Sequence, residues 1–235
     1  MSVALFGSRL SPFVEKVVRA LQYKGLPFTL APPRSPLDFK RWNPQTGKMP
    51  VLDVDGARTY DSSLILRRLD ELVPEPALFD RNPSVAARQR FLEDWSDEAL
   101  YWYGMGLRWS AVNASTTVAQ LISDIGAPYL LRPLLGFVLQ RQIQGQAIAQ
   151  GLQRLPLAVL TAELGLRFDE LQVWLDEHPF FFADRPSAAD LAIFGQLHML
   201  QSGPTPQAAE LIAARRWLGE YYARVDAATG VMGPR

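Results

Sequence analysis

The chain has 235 residues, 48% of them hydrophobic, and is long enough to bury a sizeable core and to form two domains. Its 24 basic and 24 acidic residues cancel, so we expect no nucleic acid partner and no anionic membrane surface. The absence of cysteine excludes disulfides, thiolate metal ligands and any chemistry that uses a thiol of the protein itself. A thiol in its chemistry must therefore arrive with a ligand.

The sequence disfavours secretion and membrane insertion. Arg9 and Ser11 interrupt the apolar start of the chain, which therefore lacks the pattern of a secretory signal. The longest apolar stretch, residues 128–139, contains Arg132 and Pro133 and falls short of the about 20 residues that a bilayer requires. We expect a cytoplasmic protein.

The first 76 residues alternate between strand and helix patterns. They predict strands at residues 3–6 and 28–31 around a helix at 12–24, a short helix or irregular turn at 37–42, strands at 51–54 and 58–60, and then a helix. Asp55-Gly56 is a strong signal for a hairpin between the last two strands, and Asp61-Ser62 is a typical helix start. The order βαβαββα predicts a mixed sheet, because the crossover pairs parallel strands and the hairpin pairs antiparallel ones.

The rest of the chain predicts helices. A stretch rich in proline and polar residues suggests a linker at 77–83, followed by an all-helical domain over 84–235. Helical periodicity is found at 84–107, 129–152, 156–178, 188–201 and 208–227. Gly104 and Gly106 are expected to bend or fray the first of these helices. Ser187 and Asp190 have the spacing of a capping box at the start of another.

Ser11-Pro12 lies where the first strand gives way to the first helix. Proline suits the first helical turn, so Ser11 is predicted at the N-cap. There its hydroxyl, the free backbone N–H groups and the positive end of the helix dipole favour a bound anion or thiolate. Serine is also a preferred N-cap, and a purely structural capping role explains it equally well.

Several motifs in this order resemble the cytosolic glutathione S-transferases. They are Ser11-Pro12-Phe13, Asn43-Pro44, Gly47-Lys48-Met49-Pro50-Val51-Leu52, Asp55-Gly56, Asp61-Ser62 and Pro186-Ser187-Ala188-Ala189-Asp190. The resemblance implies a thioredoxin-like, glutathione-binding domain over residues 1–76 and the family's all-helical domain over 84–235. It also implies a homodimer that uses glutathione as co-substrate.

By the same resemblance, Ser11 is the catalytic residue of a serine-type enzyme and donates a hydrogen bond to the glutathione sulfur. Other members carry a tyrosine near the end of the first strand, where this chain has Phe6, without a hydroxyl. Ser8 is the alternative donor.

The resemblance also assigns the glutathione-binding residues. Pro50 would be a cis proline that leaves the backbone of Met49 free to pair with the cysteinyl part of glutathione. Ser62 would bind the γ-glutamyl carboxylate and Asp61 its ammonium group, although the family usually has Glu or Gln at the latter position. Lys48 could pair with the glycyl carboxylate or could simply be solvated.

The electrophile pocket would lie at the end of the long helix. Tyr101, Met105, Arg108 and Trp109 are the candidates, although helical aromatics are often core residues. Between residues 101 and 160 there are four arginines and one acid, a bias that favours an anionic substrate or reflects a solvated face. With no cysteine and only two histidines, we expect no metal site.

The sequence leaves the activity open between three hypotheses. The first is conjugation of the glutathione thiolate to a small hydrophobic electrophile. The second is peroxide reduction or isomerisation by the same thiolate. Residues 150–154, 180–190 and 194–197 also resemble metaxin-like and failed-axon-connections-like relatives, which favours a third hypothesis, a catalytically silent binding protein.

Overall fold

The computed structural model describes residues 1–125 and 129–230, so the start of the apolar stretch 128–139 and the end of the predicted helical domain lie outside the described residues. The first part of the chain contains four strands and three helices. They are β1 (Val3–Phe6), α1 (Pro12–Tyr23), β2 (Thr29–Ala31), α2 (Pro36–Trp42), β3 (Val51–Val54), β4 (Ala57–Tyr60) and α3 (Ser62–Leu72). The strand order is β2-β1-β3-β4, with β1 parallel to β2 and both other pairs antiparallel. The predicted mixed sheet is confirmed.

The strand register brings three connecting segments to one edge of the sheet. Phe6 pairs with Val51, which in turn pairs with Tyr60. The segments that follow Phe6, precede Val51 and follow Tyr60 therefore start beside one another. These segments carry Ser11, Met49-Pro50 and Asp61-Ser62.

Helices make up the remainder of the described chain. They are α4 (Pro83–Trp95), α5 (Tyr101–Arg108), α6 (Ala114–Asp124), α7 (Arg132–Gln150), α8 (Leu157–Leu175), α9 (Ala188–Ser202), α10 (Pro206–Ala213) and α11 (Arg216–Thr229). A π-helical turn at Ser96–Leu100 joins α4 to α5, and short 3-10 turns precede and follow α7. The predicted α/β domain followed by helices is the observed architecture.

Four sequence expectations need correction. The helix α6 was missed, and the helix expected at 208–227 is two helices, α10 and α11. The helix expected at 156–178 ends at Leu175, where Asp176 has a positive φ of 51°. Gly104 and Gly106 lie inside α5 and allow close packing: a Cβ would stand 2.5 Å from Met199 Cε at the first and 2.7 Å from Leu160 Cδ2 at the second.

Residues 73–82 contain neither helix nor strand, and Pro83 already begins α4. Leu78 is nevertheless buried, its N–H donates to Asp70 Oδ1 at 2.9 Å, and its carbonyl accepts from Ala188 N at 2.7 Å. The connection is thus fixed to both halves of the molecule. The exact division into domains at 77–83 stays a prediction.

The helix α1 lies at the centre of the fold. It packs against α3 on one side and α9 on another, and its residues from Val14 to Leu21 are all buried. The capping box predicted for α9 is present, with Asp190 accepting from both the backbone N–H and the hydroxyl of Ser187. Among the described helices, none is both long and apolar enough to cross a membrane.

Candidate active site

A cavity of about 630 Å³ lies between the sheet edge and the helical part of the chain. Ser8, Ser11, Phe13 and Met49 line it on the sheet side, and Tyr101, Met105, Arg108, Trp109 and Ile143 on the helical side. The cavity is mainly apolar and has a few polar groups, as expected for a small-molecule site.

Ser11 occupies the N-cap position of α1, as predicted. Its carbonyl accepts from Val14 N at 3.1 Å and Glu15 N at 3.0 Å, but its side chain makes no capping hydrogen bond. The purely structural interpretation of Ser11 as a side-chain cap is therefore wrong. Ser11 lines the cavity and lies at the positive end of the α1 dipole.

The loop that carries Ser11 is held by an ion-pair cluster around the buried Glu15. Arg9 Nε and Nη2 each donate to Glu15 at 2.7 Å, and Arg19 Nε donates to the same carboxylate at 2.8 Å. Burial alone would raise the pKa of Glu15, but the hydrogen bonds from Arg9 and Arg19 outweigh it and lower that pKa. The bidentate pair fixes the loop relative to the helix.

Ser8, the alternative donor, is also in the cavity wall but is 4% exposed. Its Oγ accepts from Leu10 N at 3.2 Å, and its N–H points to Met49 Sδ at 3.4 Å. Phe6 does not line the cavity; its ring packs against Trp42 at 5.4 Å. Of the two serines, Ser8 uses its hydroxyl oxygen to accept a hydrogen bond from the backbone, whereas the Ser11 side chain makes no capping bond.

The Met49-Pro50 peptide bond is cis, as the resemblance implied. Met49 lines the cavity, whereas Pro50 is buried behind it. Lys48 is exposed and lies outside the cavity wall. Asn43 Nδ2 donates to the carbonyl of Lys48 at 3.2 Å and so holds this segment from behind.

Asp61 and Ser62 also lie outside the cavity wall. Asp61 is exposed and caps α3, accepting from Ser63 N at 2.9 Å and Leu64 N at 3.3 Å. Ser62 is 4% exposed, and its Oγ lies 3.4 Å from Lys16 Nζ and 3.5 Å from Asp97 Oδ2. The structure thus brings Ser11 and Met49 to the cavity, and the other predicted glutathione ligands lie outside its wall.

A buried charge cluster beneath Ser62 was missed in the sequence. Lys16 Nζ lies 2.6 Å from Glu93 Oε1 and 2.7 Å from Asp97 Oδ2, and the lysine is fully buried. Burial alone would lower the pKa of Lys16, but the two carboxylates raise it. Burial raises the pKa of Asp97 to about 6, against the opposing effect of Lys16. The spacing of Glu93 and Asp97, four residues apart on one helical face, was the available signal.

All four predicted pocket residues line the cavity. The Tyr101 ring packs on Phe13 at 4.9 Å, next to the Ser11-Pro12 turn. Burial raises the pKa of Tyr101 to about 12, so its hydroxyl stays a neutral donor at physiological pH. Burial lowers the pKa of Arg108, although a guanidinium remains charged.

Within the part of the chain that is described, no cluster of three or more histidine or acidic side chains could hold a metal ion.

Comparisons with known proteins agree with the fold described above. Residues 5–77 match the family model for the N-terminal domain of glutathione S-transferases. The chain is 25% identical over 216 residues to the isoprene-epoxide–glutathione S-transferase of Rhodococcus sp. strain AD45, covering 91% of this chain and 85% of that protein. Residues 5–77 thus carry the N-terminal domain of the glutathione S-transferase family, and the chain as a whole is similar to members of that superfamily.

Other members of the superfamily are similar over shorter lengths or at lower identity. Glutathione S-transferase U3 of Arabidopsis thaliana is 30% identical over 154 residues, which is 63% of this chain and 64% of that protein. The crystal structure of glutathione transferase F7 from Populus trichocarpa superposes with a TM-score of 0.65 at 17% identity, covering 97% and 96% of the two chains. The rice GST1 structure in complex with glutathione gives 0.62 at 20% identity, with 98% and 91% covered. The two structures confirm the transferase fold. The serine type and the metaxin-like resemblance stay predictions.

Proposed function

We propose that this protein is a glutathione transferase that conjugates the glutathione thiolate to a small hydrophobic electrophile. The observation that carries the proposal is the position of Ser11. It lies at the start of α1, its side chain makes no capping bond, and it lines a largely apolar cavity together with Met49.

The Ser11 hydroxyl would activate the thiol. A free thiol titrates near pH 8.5, so little of it is thiolate at neutral pH. A hydroxyl donor and a helix N-terminus directed at the sulfur favour the thiolate, and lowering its pKa by about one to two units corresponds to roughly 1.4 to 2.8 kcal/mol. Ser11 would therefore be the catalytic residue.

The remaining glutathione contacts would follow the sheet edge away from Ser11. The backbone of Met49, ahead of the cis Pro50, would pair with the cysteinyl part as an added strand. The start of α3 at Ser62 would bind the γ-glutamyl carboxylate, with Asp61 facing the ammonium group. Lys48, exposed near Met49, would reach the glycyl carboxylate.

The electrophile would bind against Tyr101, Met105, Arg108 and Trp109 on the helical side of the cavity. Holding both substrates in one cavity makes the reaction effectively unimolecular, which is a major source of rate. The relative from Rhodococcus, whose name specifies isoprene epoxide, supports a small electrophile as the second substrate. Peroxide reduction and isomerisation would use the same thiolate and stay alternatives. Homodimer formation and a cytoplasmic location stay predictions.

Calorimetric titration with glutathione, followed by a conjugation assay with 1-chloro-2,4-dinitrobenzene, tests the proposal. We expect binding in the micromolar to millimolar range and turnover that falls strongly in Ser11→Ala. The absence of binding at millimolar glutathione would refute the proposed enzymatic function. Binding without turnover of any electrophile or peroxide would favour the catalytically silent alternative.

A further inference from the structure

Arg108 differs from the other buried cations of this protein. Lys16, Arg19 and Lys24 are buried, and each forms an ion pair with a carboxylate at 2.6 to 2.8 Å. Arg108 is 4% exposed, and among residues 1–125 and 129–230 its side chain makes one hydrogen bond, from Nη2 to Gln120 Oε1 at 3.1 Å. Within those residues, no carboxylate lies within ion-pair distance of its guanidinium.

A buried charge without a counter-charge is costly. Removing an ion from water carries an effective penalty of several kcal/mol, which a neutral amide such as Gln120 offsets only in part. The guanidinium cannot escape this penalty by losing its proton, even though burial lowers its pKa. The last turn of α5 contains Arg108, and the negative end of the helix dipole there offers some compensation, typically about 0.3–1 kcal/mol.

The location of Arg108 indicates what supplies the missing charge. It lines the cavity together with Tyr101, Met105 and Trp109, on the helical side. The other charged side chains of the wall, Lys40 and Asp124, are both exposed and therefore solvated. Arg108 is the buried cation among the mainly apolar lining residues, and a planar guanidinium binds a carboxylate through two parallel hydrogen bonds.

We infer that the second substrate is an amphipathic electrophile that carries a carboxylate, and that Arg108 binds this carboxylate while Met105 and Trp109 contact the apolar body. The inference rests on the proposed transferase function. Tyr101, a neutral donor in the same wall, is placed to add a hydrogen bond to the bound anion. Anchoring one end of the substrate at Arg108 would direct the other end toward Ser11.

A matched pair of electrophiles tests the inference: 4-chloro-3-nitrobenzoate and the neutral 4-chloro-3-nitrobenzamide. In each reaction the thiolate sulfur forms a bond to the ring carbon that bears chlorine, the C–Cl bond breaks, and chloride leaves. After correction for the uncatalysed rates, we expect kcat/KM for the carboxylate to exceed that for the amide, and Arg108→Gln to lower it about 10- to 100-fold. Turnover of the amide should change by less than about threefold, and Arg108→Lys should keep part of the preference.

Arg141→Gln is the matched control, because Arg141 is an exposed arginine of α7 that does not line the cavity. It should leave the preference for the carboxylate unchanged. A wild-type protein that turns over both compounds equally well, or an Arg141 variant that loses the preference as Arg108→Gln does, would overturn the inference.

Binding of 3-nitrobenzoate and 3-nitrobenzamide, which lack the chlorine and cannot react, separates this inference from the proposed function. Calorimetry on the glutathione-saturated protein and on the protein alone should show tighter binding of the benzoate, lost in Arg108→Gln. If the protein prefers benzoate but shows no turnover, the proposed transferase function is refuted and carboxylate binding by Arg108 is supported. If the protein shows turnover but does not prefer benzoate, only carboxylate binding by Arg108 is refuted.

Discussion

Gly195 of α9 lies directly against the carbonyl oxygen of Pro12, the first residue of α1: a Cβ at position 195 would stand 2.4 Å from that oxygen. Hydrogen is the only side chain that fits between the two helices at this point. The helical part of the chain thereby supports the turn that presents Ser11. The position of the candidate catalytic hydroxyl depends on a helix far away in the sequence.

We predict that Gly195→Ala destabilises the protein, because the clash involves backbone and no rotamer change can relieve it. Overpacking of this kind costs about 1 to 3 kcal/mol, and the free energy of unfolding in urea measures it. Gly219→Ala is the control: Gly219 lies within the exposed face of α11, and a Cβ there meets no atom within 4 Å. It should stabilise the protein by up to about 1 kcal/mol. Equal effects of the two substitutions would contradict the close-approach explanation.

Lys16 should be essential for stability. Lys16→Met leaves Glu93 and Asp97 buried without their counter-charge, which costs about 3 to 5 kcal/mol in comparable cases. Lys48→Met, at an exposed lysine, should change the free energy of unfolding by less than about 0.5 kcal/mol. Adding Glu93→Gln to Lys16→Met should recover part of the loss. A double variant no more stable than Lys16→Met would show that charge burial is not the cause.

Asp190 should anchor the start of α9. Its carboxylate accepts from Phe181 N, Ser187 N, Ser187 Oγ and Tyr221 Oη at 2.8 to 2.9 Å, all of them buried. Asp190→Ala leaves these donors unpaired, so we expect a loss of at least about 3 kcal/mol. Asp184→Ala, at a side chain that is 92% exposed, should be nearly neutral in the same urea titration. A nearly neutral Asp190→Ala would refute the anchoring role.

The stability contribution of Asp190 should depend on pH. Burial raises its pKa to about 6 from the usual 3.8, so the folded state holds this proton to higher pH than the unfolded state does. Stability from this group is therefore full below about pH 4 and decreases as the pH rises to about 6. In unfolding measurements across this range, Asp190→Asn should show a shallower decrease than the wild type. An identical slope would contradict the raised pKa.

Local patterns predicted most of the fold. The hairpin at Asp55-Gly56, the capping box at Ser187 and the helix start at Asp61 were readable because neighbouring residues form them. The helix α6 was missed because its first turns contain Ser115, Thr116 and Thr117, which are weak helix formers. Tertiary contacts hold that helix: Thr117 Oγ1 donates to the carbonyl of Arg108 at 2.8 Å, and Ala114 and Ile122 are buried.

The break between α10 and α11 has no signal in the local sequence, which contains neither glycine nor proline at that point. Arg215 lies at the break and is paired with Asp169 of α8, with donor distances of 2.7 and 2.9 Å. The site residues divide in the same way, into those that the local sequence predicts and those that it does not. Ser11 and Met49-Pro50 belong to local motifs, whereas Lys16 and Asp97 are 81 residues apart and resemble ordinary surface charges until the fold joins them.

The pKa of the bound thiol shows whether the Ser11 hydroxyl stabilises the glutathione thiolate. Ultraviolet thiolate absorbance of the glutathione complex, followed against pH, should give a pKa below the about 8.5 of a free thiol. In Ser11→Ala that pKa should rise by about one to two units while glutathione affinity stays within several-fold, and in Ser8→Ala it should stay near the wild-type value. An unchanged thiol pKa in Ser11→Ala would contradict the claim and transfer the donor role to Ser8 or to a backbone amide.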